Sequence, residues 1–218
     1  MSLASNLANK PQLTPAPRDG TPRGLRLDFD DLEVRLKVAT ADDCAKGMFF
    51  NGALSAIASV GGAAAAEQCR AASETRKYID FFNYPITGFL KLTFTAASLL
   101  HRDLGGYGPV FHRLGQQAVE DFLATPVGKT LLLLAGKDPR RLLTILPGGF
   151  KTAVTYGERT ADFPGPGQSH FTMKRDFMPH PYHEGVLKTV LEAMGVTNVR
   201  VTGHRTGPLD VSYHISWE

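Results

Sequence analysis

Residues 209–218 read LDVSYHISWE, and this short stretch decides the fold class. Every second residue is hydrophobic, and the residues between them are polar or charged. The hydrophobic set is Leu209, Val211, Tyr213, Ile215 and Trp217. Because successive side chains of a strand point to opposite faces, the alternation predicts a β-strand with one face on an apolar core and the other in water.

The residues upstream of this strand predict a ββαββ unit. Phe150–Tyr156 and Ser169–Arg175 alternate as strands, and the turn sequence PGPG at 164–167 joins them. A helix that begins near Pro181 follows, and Asn198–Thr202 is predicted as the third strand. Two hairpins on either side of one helix predict an antiparallel sheet.

The first half of the chain is predicted to be mainly helical. Ile86–Leu100 is apolar almost all round, which indicates a central buried helix, and residues 109–124 have apolar residues three or four apart. Asp138-Pro139 marks the start of a helix that Pro147-Gly148 should end. Three further predicted helices are one through Phe49 to Ile57, one at Arg76–Asn83 and a short buried one at Leu131–Leu134; Asp31–Val38 is left open between helix and strand.

These segments together predict an α+β fold, in which an N-terminal helical half packs on a C-terminal antiparallel sheet of ββαββ order. Residues 28–218 are predicted to form a single domain, mostly helical over 28–148 and ββαββ over 149–218. Residues 1–27 are rich in Pro, Thr and Gly without a hydrophobic period, and they predict a flexible leader.

The distribution of charge argues against a nucleic-acid partner. Residues 1–27 hold four basic side chains and one acidic side chain, which accounts for the whole formal net charge of +3. The remaining residues are therefore balanced in charge, and a body without surplus positive charge is a poor ligand for a phosphate backbone.

Several features favour a cytoplasmic protein. Cys44 and Cys69 show no pairing pattern, which is typical of thiols in a reducing compartment. The start at Met1–Ala4 lacks the basic and apolar segments of a signal peptide. Gly47–Ala66 is uncharged, but it is rich in Ala and Gly, so we interpret it as a buried helix running into a loop and not as a membrane span.

No catalytic or metal-binding residues are predicted. The sequence contains no Gly-x-Ser-x-Gly motif. Cys44 lies beside Asp42 and Asp43, whose charges would raise its pKa and make it a poor nucleophile. His180 and His183 are three residues apart, but no Cys or Asp cluster accompanies them as metal ligands would require.

A dense aromatic group is the candidate binding feature. It consists of Tyr78, Phe81, Phe82, Tyr84 and Phe89. Such a group most often packs in a core, but it could instead line a cavity between the helices and the sheet. Arg76, Arg175 and Tyr182 are candidates for the polar tips of that cavity. The predicted ligand-binding residues are Tyr78, Phe82, Tyr84, Arg175 and Tyr182.

Several segments resemble a large myxobacterial paralogous family of unknown function. They are KGMFF at 46–50, YIDFFNYP at 78–85, RLG at 113–115, PYHEGVL at 181–187 and SW at 216–217. The resemblance covers nearly everything from about residue 28 onward.

The C-terminal layout also resembles a broader superfamily of haem–nitric-oxide-binding domains, TRAPP vesicle-tethering components and vinyl-4-reductase-type domains. The shared features are the helical half, the ββαββ sheet and an aromatic-Gly opening of the last helix, here Tyr182-x-x-Gly185. The resemblance implies binding of an apolar or planar ligand, or dimerisation. Haem-binding members use a proximal histidine and a Tyr-x-Ser-x-Arg motif, from which YGER at 156–159 departs, so no haem or other cofactor is expected.

These observations favour a non-enzymatic, cytoplasmic sensory or regulatory domain that binds a small apolar molecule between its helices and its sheet. The alternative is a homodimeric protein-interaction adaptor without a ligand. Neither hypothesis involves a nucleic acid or a membrane span.

Overall fold

The computed structural model describes residues 29–218, with side chains from Asp31 onward. The predicted leader, residues 1–27, lies outside the described residues. The elements are α1 (Phe29–Val38), β1 (Cys44–Lys46), α2 (Gly47–Ala72), β2 (Asn83–Pro85), α3 (Ile86–Leu100), α4 (Tyr107–Ala124), α5 (Pro126–Ala135), α6 (Pro139–Ala153), β3 (Glu158–Asp162), β4 (Gln168–Lys174), α7 (His180–Glu192), β5 (Arg200–Arg205) and β6 (Val211–Ser216).

The C-terminal elements form the predicted ββαββ unit. The sheet order is β3-β4-β6-β5, and all three pairings are antiparallel. Pairing of β4 with β6, where Phe171 lies opposite Tyr213, joins the two hairpins into one sheet. Tyr213 and Ile215 are fully buried on the face that meets the helices. The α+β class and the alternation of the last strand are therefore confirmed.

Helix α7 connects the two hairpins and packs against α4 with almost no space between the backbones. A methyl group on Gly115 of α4 would lie 1.9 Å from the carbonyl oxygen of Tyr182, and one on Gly185 of α7 would lie 2.2 Å from that of His112. Only a residue without a side chain fits at either position. The RLG and Tyr-x-x-Gly segments thus meet at a single helix crossing.

Helix α3 is the central helix, as predicted, and it has the predicted bounds. It packs between α1, α2 and α4, and Leu90 and Leu92 are fully buried. Among the described residues, α2 is long and apolar enough to cross a membrane by length and composition, but 39% of its most apolar window is buried inside the protein. Its first half packs against α3 as a core helix, and Gly62, with φ of 78°, interrupts the helix.

Two predictions in the first half are wrong. Arg76–Asn83 is not a helix: it is an irregular loop leading into β2, because its backbone bonds to side chains of other segments. The Asn51 amide donates to the Tyr78 carbonyl, and the Ile79 N–H donates to the Tyr84 hydroxyl. The second wrong prediction is the burial of Leu131–Leu134. This segment is helical, but it is only partly buried, and Leu133 is 81% exposed. Four consecutive leucines point to all sides of a helix, and only one side of this helix packs against the rest of the protein.

The end of α6 also differs from the prediction. Pro147-Gly148 does not stop the helix, which continues to Ala153, and Phe150–Tyr156 is therefore not a strand. Leu143, Leu146 and Phe150 recur at helical spacing and pack inward, so burial of this face outweighs the backbone hydrogen bond that a proline removes. The first strand begins later, at Glu158.

Candidate functional site

A cavity lies between the helical half and the C-terminal unit. It contains about 690 Å³ of empty space, part of which opens to solvent. Most of the wall is apolar, with side chains from the helices, from β1 and β3, and from the segments that follow α6 and β4. Representative wall residues are Phe49, Phe89, Leu146, Phe150, Val186 and Val190.

Helix α6 supplies one side of the wall, and it does so only because it continues past Pro147. Leu146, Gly149, Phe150 and Ala153 fall on one face of the helix at spacings of three, four and seven residues, and all of them line the cavity. Ala118 of α4 also lines the cavity. The small side chains of Ala118 and Ala153 leave space that larger residues would fill.

The polar end of the cavity is a buried ion cluster. The Asp176 carboxylate accepts hydrogen bonds from Nη2 of Arg159, from Nε2 of His183 at 2.8 Å and from the backbone N–H of Met178 at 3.0 Å. Burial opposes ionisation of this carboxyl group, but the interactions with His183 and Arg159 outweigh it and hold the pKa of Asp176 below its usual range. Arg159 and His183 both line the cavity.

Two tyrosines complete this end of the wall. Tyr156 and Tyr182 are buried, and burial raises the pKa of both phenols, which keeps their hydroxyl groups neutral. The Tyr182 ring makes edge contacts with Phe89 and His183, with centroids 6.1 Å and 5.2 Å apart. The site therefore combines a long apolar wall with one compact polar end.

The structure brings only one of the five predicted site residues, Tyr182, to the cavity wall. Tyr78 is buried in the core, where its ring stacks on Phe50 at 4.3 Å and its hydroxyl donates to Ser73. Tyr84 packs edge-on against Tyr78, and Phe82 is 62% exposed on the surface. The aromatic group thus divides between core and surface, and of its members Phe89 lines the cavity.

Arg175 also lies away from the cavity wall. Its guanidinium binds the buried Asp43 carboxylate through two hydrogen bonds of 2.5 and 2.8 Å, and nearly half of the side chain is exposed. The Arg175 hydrogen bond lowers the pKa of Asp43. This pair joins the end of β4 to the segment before β1. Arg76 is exposed.

The residues that sequence reasoning missed are Arg159 and Asp176, and it considered His183 only as a metal ligand. Asp176 is followed by Phe177 and Met178, and a carboxylate beside a buried apolar pair is a signal of a buried ion pair. Its partners lie 17 residues before it and 7 residues after it. Only the folded hairpin and α7 bring them together.

Metal-binding and nucleophilic chemistry find no support in residues 29–218. No group of three or more His, Cys, Asp and Glu side chains in that range could hold a metal ion. His180 bonds to Glu184 at 3.0 Å and His183 bonds to Asp176. Burial, Asp42 and Asp43 raise the pKa of the Cys44 thiol, in the direction predicted.

Comparisons with known proteins identify a family and a fold. The model of the family described as "Protein of unknown function (DUF2378)" matches residues 38–218. No curated protein sequence matches the chain.

Solved structures of H-NOX proteins are similar in fold. The Fe(II) unliganded H-NOX protein from K. algicida has a TM-score of 0.66 at 12% identity, over 79% of this chain and 96% of that one. The Fe(II)NO form from S. oneidensis has a TM-score of 0.63 at 13% identity, over 79% and 99%. An oxygen-binding H-NOX domain related to soluble guanylate cyclases has a TM-score of 0.58 at 9% identity, over 79% and 95%. At these identities the likeness shows the fold alone.

The residues of the cavity do not fit haem, the group that this fold implies. Haem needs a side chain to bind its iron and cationic partners for its two propionate groups. Among the described residues that line the cavity, one is a histidine and one is an arginine, His183 and Arg159. A single arginine would face two propionate groups, and Nε2 of the histidine is bonded to Asp176. We therefore derive no chemistry through haem.

Proposed function

This chain belongs to the DUF2378 family of proteins of unknown function, and we propose that it is a non-enzymatic sensory or regulatory domain that binds a small apolar molecule in its cavity. The ligand would lie between the helices and the C-terminal ββαββ unit. Binding would be read out through the surrounding helices, because α4, α6 and α7 all contribute to the wall.

The apolar cavity is the observation that carries this proposal. Protein interiors are close-packed, so an apolar space between two layers of a fold is a candidate ligand site. Almost the whole wall of this cavity is apolar, and the cavity opens to solvent on one side, which would let a ligand enter. A mostly apolar wall selects an apolar ligand, because a polar ligand would lose its hydrogen bonds to water on entry.

The fold supports the same reading. The structurally similar H-NOX proteins were solved in Fe(II) unliganded, Fe(II)NO and oxygen-bound forms. The iron, NO and oxygen belong to those proteins, and the residues here do not fit haem. We propose that this chain uses the same architecture for an organic ligand.

A dye-displacement assay tests the proposal. N-phenyl-1-naphthylamine, a neutral apolar dye, should bind the protein saturably with a rise in fluorescence, and the Ala153→Leu variant should weaken that binding at least tenfold by filling the wall. The matched control is Ala64→Leu, an exposed alanine of α2 outside the cavity, which should bind as the unaltered protein does. Absence of saturable binding, or equal affinities of the two variants, would contradict the proposal.

We also propose that the protein works in the cytoplasm. Cys44 and Cys69 are both free, which is consistent with a reducing compartment. Outside residues 1–27 the basic and acidic side chains balance, so this part of the protein has no general electrostatic attraction to nucleic acid. Fractionation of cells that express the chain, followed by detection with an antibody, checks the compartment.

The alternative function is a homodimeric adaptor, and one observation favours it. Ile79, Phe81 and Phe82 lie in the loop before β2 with more than half of each residue exposed. Exposed hydrophobic residues close together are typical of interaction surfaces. Light scattering distinguishes the alternatives: a dimer that Phe81→Ser converts to a monomer would favour the adaptor, and a monomer at all concentrations would exclude it.

A further inference from the structure

Two buried nitrogen atoms at the polar end of the cavity have no hydrogen-bond partner among the described residues. They are Nε of Arg159 and Nδ1 of His183. The two side chains are only 3% and 5% exposed. An unsatisfied buried polar group opposes folding, so native proteins rarely retain one without a reason.

The surrounding contacts hold both side chains in place. Asp176 binds one end of each, through Nη2 of Arg159 and Nε2 of His183. The other Arg159 nitrogen, Nη1, donates to the Tyr156 carbonyl at 2.7 Å. Phe150 packs against both groups, with the guanidinium carbon 4.6 Å and the imidazole centroid 5.6 Å from its ring centroid. The two unpaired nitrogens therefore belong to preorganised groups on the wall of one cavity.

We infer that this end of the cavity is a subsite for the carboxyl head of an apolar carboxylic acid whose hydrocarbon chain fills the apolar part. The inference rests on the proposed function, because it requires that the cavity binds a ligand. It adds the chemical class of that ligand and the residues that would recognise its head group.

The hydrogen-bonding capacities of the two nitrogens support a carboxyl group. Arg159 Nε–H can only donate, so it requires an acceptor oxygen. Nε2 of His183 donates a hydrogen bond to the ionised Asp176. Nδ1 therefore accepts a hydrogen bond when the imidazole is neutral and donates one when it is charged. A carboxyl group can serve both, because one oxygen accepts from Arg159 while the other shares a proton with His183.

The charges of the cluster support the same class. When the imidazole of His183 is neutral, the charges of Arg159 and Asp176 cancel each other, and a bare carboxylate would then bring an unpaired negative charge into a buried site. A carboxylic acid avoids this cost, because its proton can move from the carboxyl oxygen to Nδ1 of His183. The O–H bond breaks, the N–H bond forms, and the resulting carboxylate lies against an imidazolium ion with no change in total charge.

A matched pair of ligands tests the inference. Decanoic acid and methyl decanoate have the same apolar chain, but the ester lacks the acid proton and cannot become an anion. We expect the acid to displace N-phenyl-1-naphthylamine from the unaltered protein at a concentration at least tenfold lower than the ester does.

Two variants then locate the preference. His183→Gln keeps an N–H that can donate to Asp176 but has no counterpart of Nδ1, and Arg159→Lys keeps the charge but has no Nε–H. Each should reduce the preference for the acid to less than threefold, while the affinity for the ester changes by less than threefold. Arg175 lies outside the cavity wall, so the Arg175→Lys variant should keep the full preference for the acid over the ester. Thermal unfolding verifies that each variant is folded.

The outcomes separate this inference from the proposed function. Binding of both compounds with equal affinity, or a preference that survives in both variants, overturns the carboxyl subsite and leaves an apolar binding domain. Binding of neither compound and no dye binding overturns the proposed function and the subsite together.

Discussion

At the scale of single residues, two buried tyrosines differ in whether their hydroxyl group has a hydrogen-bond partner. Tyr213 is fully buried in the middle of the sheet, and its hydroxyl has no partner among the described residues. Tyr78 is also buried, but its hydroxyl donates to Ser73. Because an unpaired buried hydroxyl opposes folding and a bonded one favours it, the same substitution should have different effects at the two sites.

Tyr213→Phe should leave the free energy of unfolding unchanged or raise it by up to about 1 kcal/mol, since it removes only an unsatisfied group. Tyr78→Phe should lower it by about 1 kcal/mol, since Ser73 loses its donor. Urea denaturation of the two variants measures both values. A loss above about 1 kcal/mol in Tyr213→Phe would show that a bound water or ligand satisfies this hydroxyl.

At the scale of elements, the crossing of α4 and α7 determines where the cavity lies. Gly115 and Gly185 allow the two backbones to touch. This contact places Tyr182 and His183, at the start of α7, on the cavity wall, where the His183 ring packs against Phe150 of α6. The two helices could not approach each other as closely with any side chain at these positions.

Gly115→Ala and Gly185→Ala should each lower the free energy of unfolding by about 3 kcal/mol or more, because the added methyl group would overlap a backbone carbonyl. Gly148→Ala is the matched control: it lies on the exposed side of α6 with open space around it. That variant should be more stable by about 0.5–1 kcal/mol, since alanine favours helix. Chemical denaturation of all three variants measures the differences. A Gly185→Ala variant with an unchanged free energy of unfolding would show that the two helices can move apart without loss of stability.

At the scale of the whole molecule, buried ion pairs join segments that are far apart in the chain. Asp176 connects β3 to α7. Asp43 connects the segment before β1 to Arg175 after β4, and Asp31 of α1 binds Arg205 of β5 at 3.1 Å. The Asp43 and Asp31 contacts join the helical half to the sheet, and the Asp176 contacts join elements within the C-terminal unit.

The acid dependence of stability follows from Asp176 and Asp43, whose pKa values are lowered in the folded protein. A carboxyl group with a lowered pKa stabilises the fold above its unfolded pKa, near 3.9, and this contribution disappears as the pH falls through the folded value. The free energy of unfolding should therefore be constant between pH 5 and 7 as far as these carboxyl groups are concerned, and should fall steadily below pH 4.

Asp176→Asn should lower the free energy of unfolding at pH 7 by about 3–5 kcal/mol, because it leaves Arg159 buried without its counter-ion. The gap to the unaltered protein should narrow below pH 4. Asp162→Asn, on an exposed strand residue, should stay within about 0.5 kcal/mol at every pH. Denaturation curves from pH 2 to 7 check both, and a gap that does not narrow in acid would contradict the role of the Asp176 charge.

The amino-acid sequence by itself determined the α+β class, the ββαββ order apart from the position of its first strand, the central helix α3 and the face of β6 that is buried. All of these depend on hydrophobic periodicity, which is a local property of the chain. Only the tertiary structure decided the end of α6, where burial of Leu143, Leu146 and Phe150 outweighs a proline. It also separated Tyr78 and Phe82 from the cavity and joined Arg159, Asp176 and His183 at its polar end, because such contacts depend on strand register and helix packing between residues that no local pattern relates.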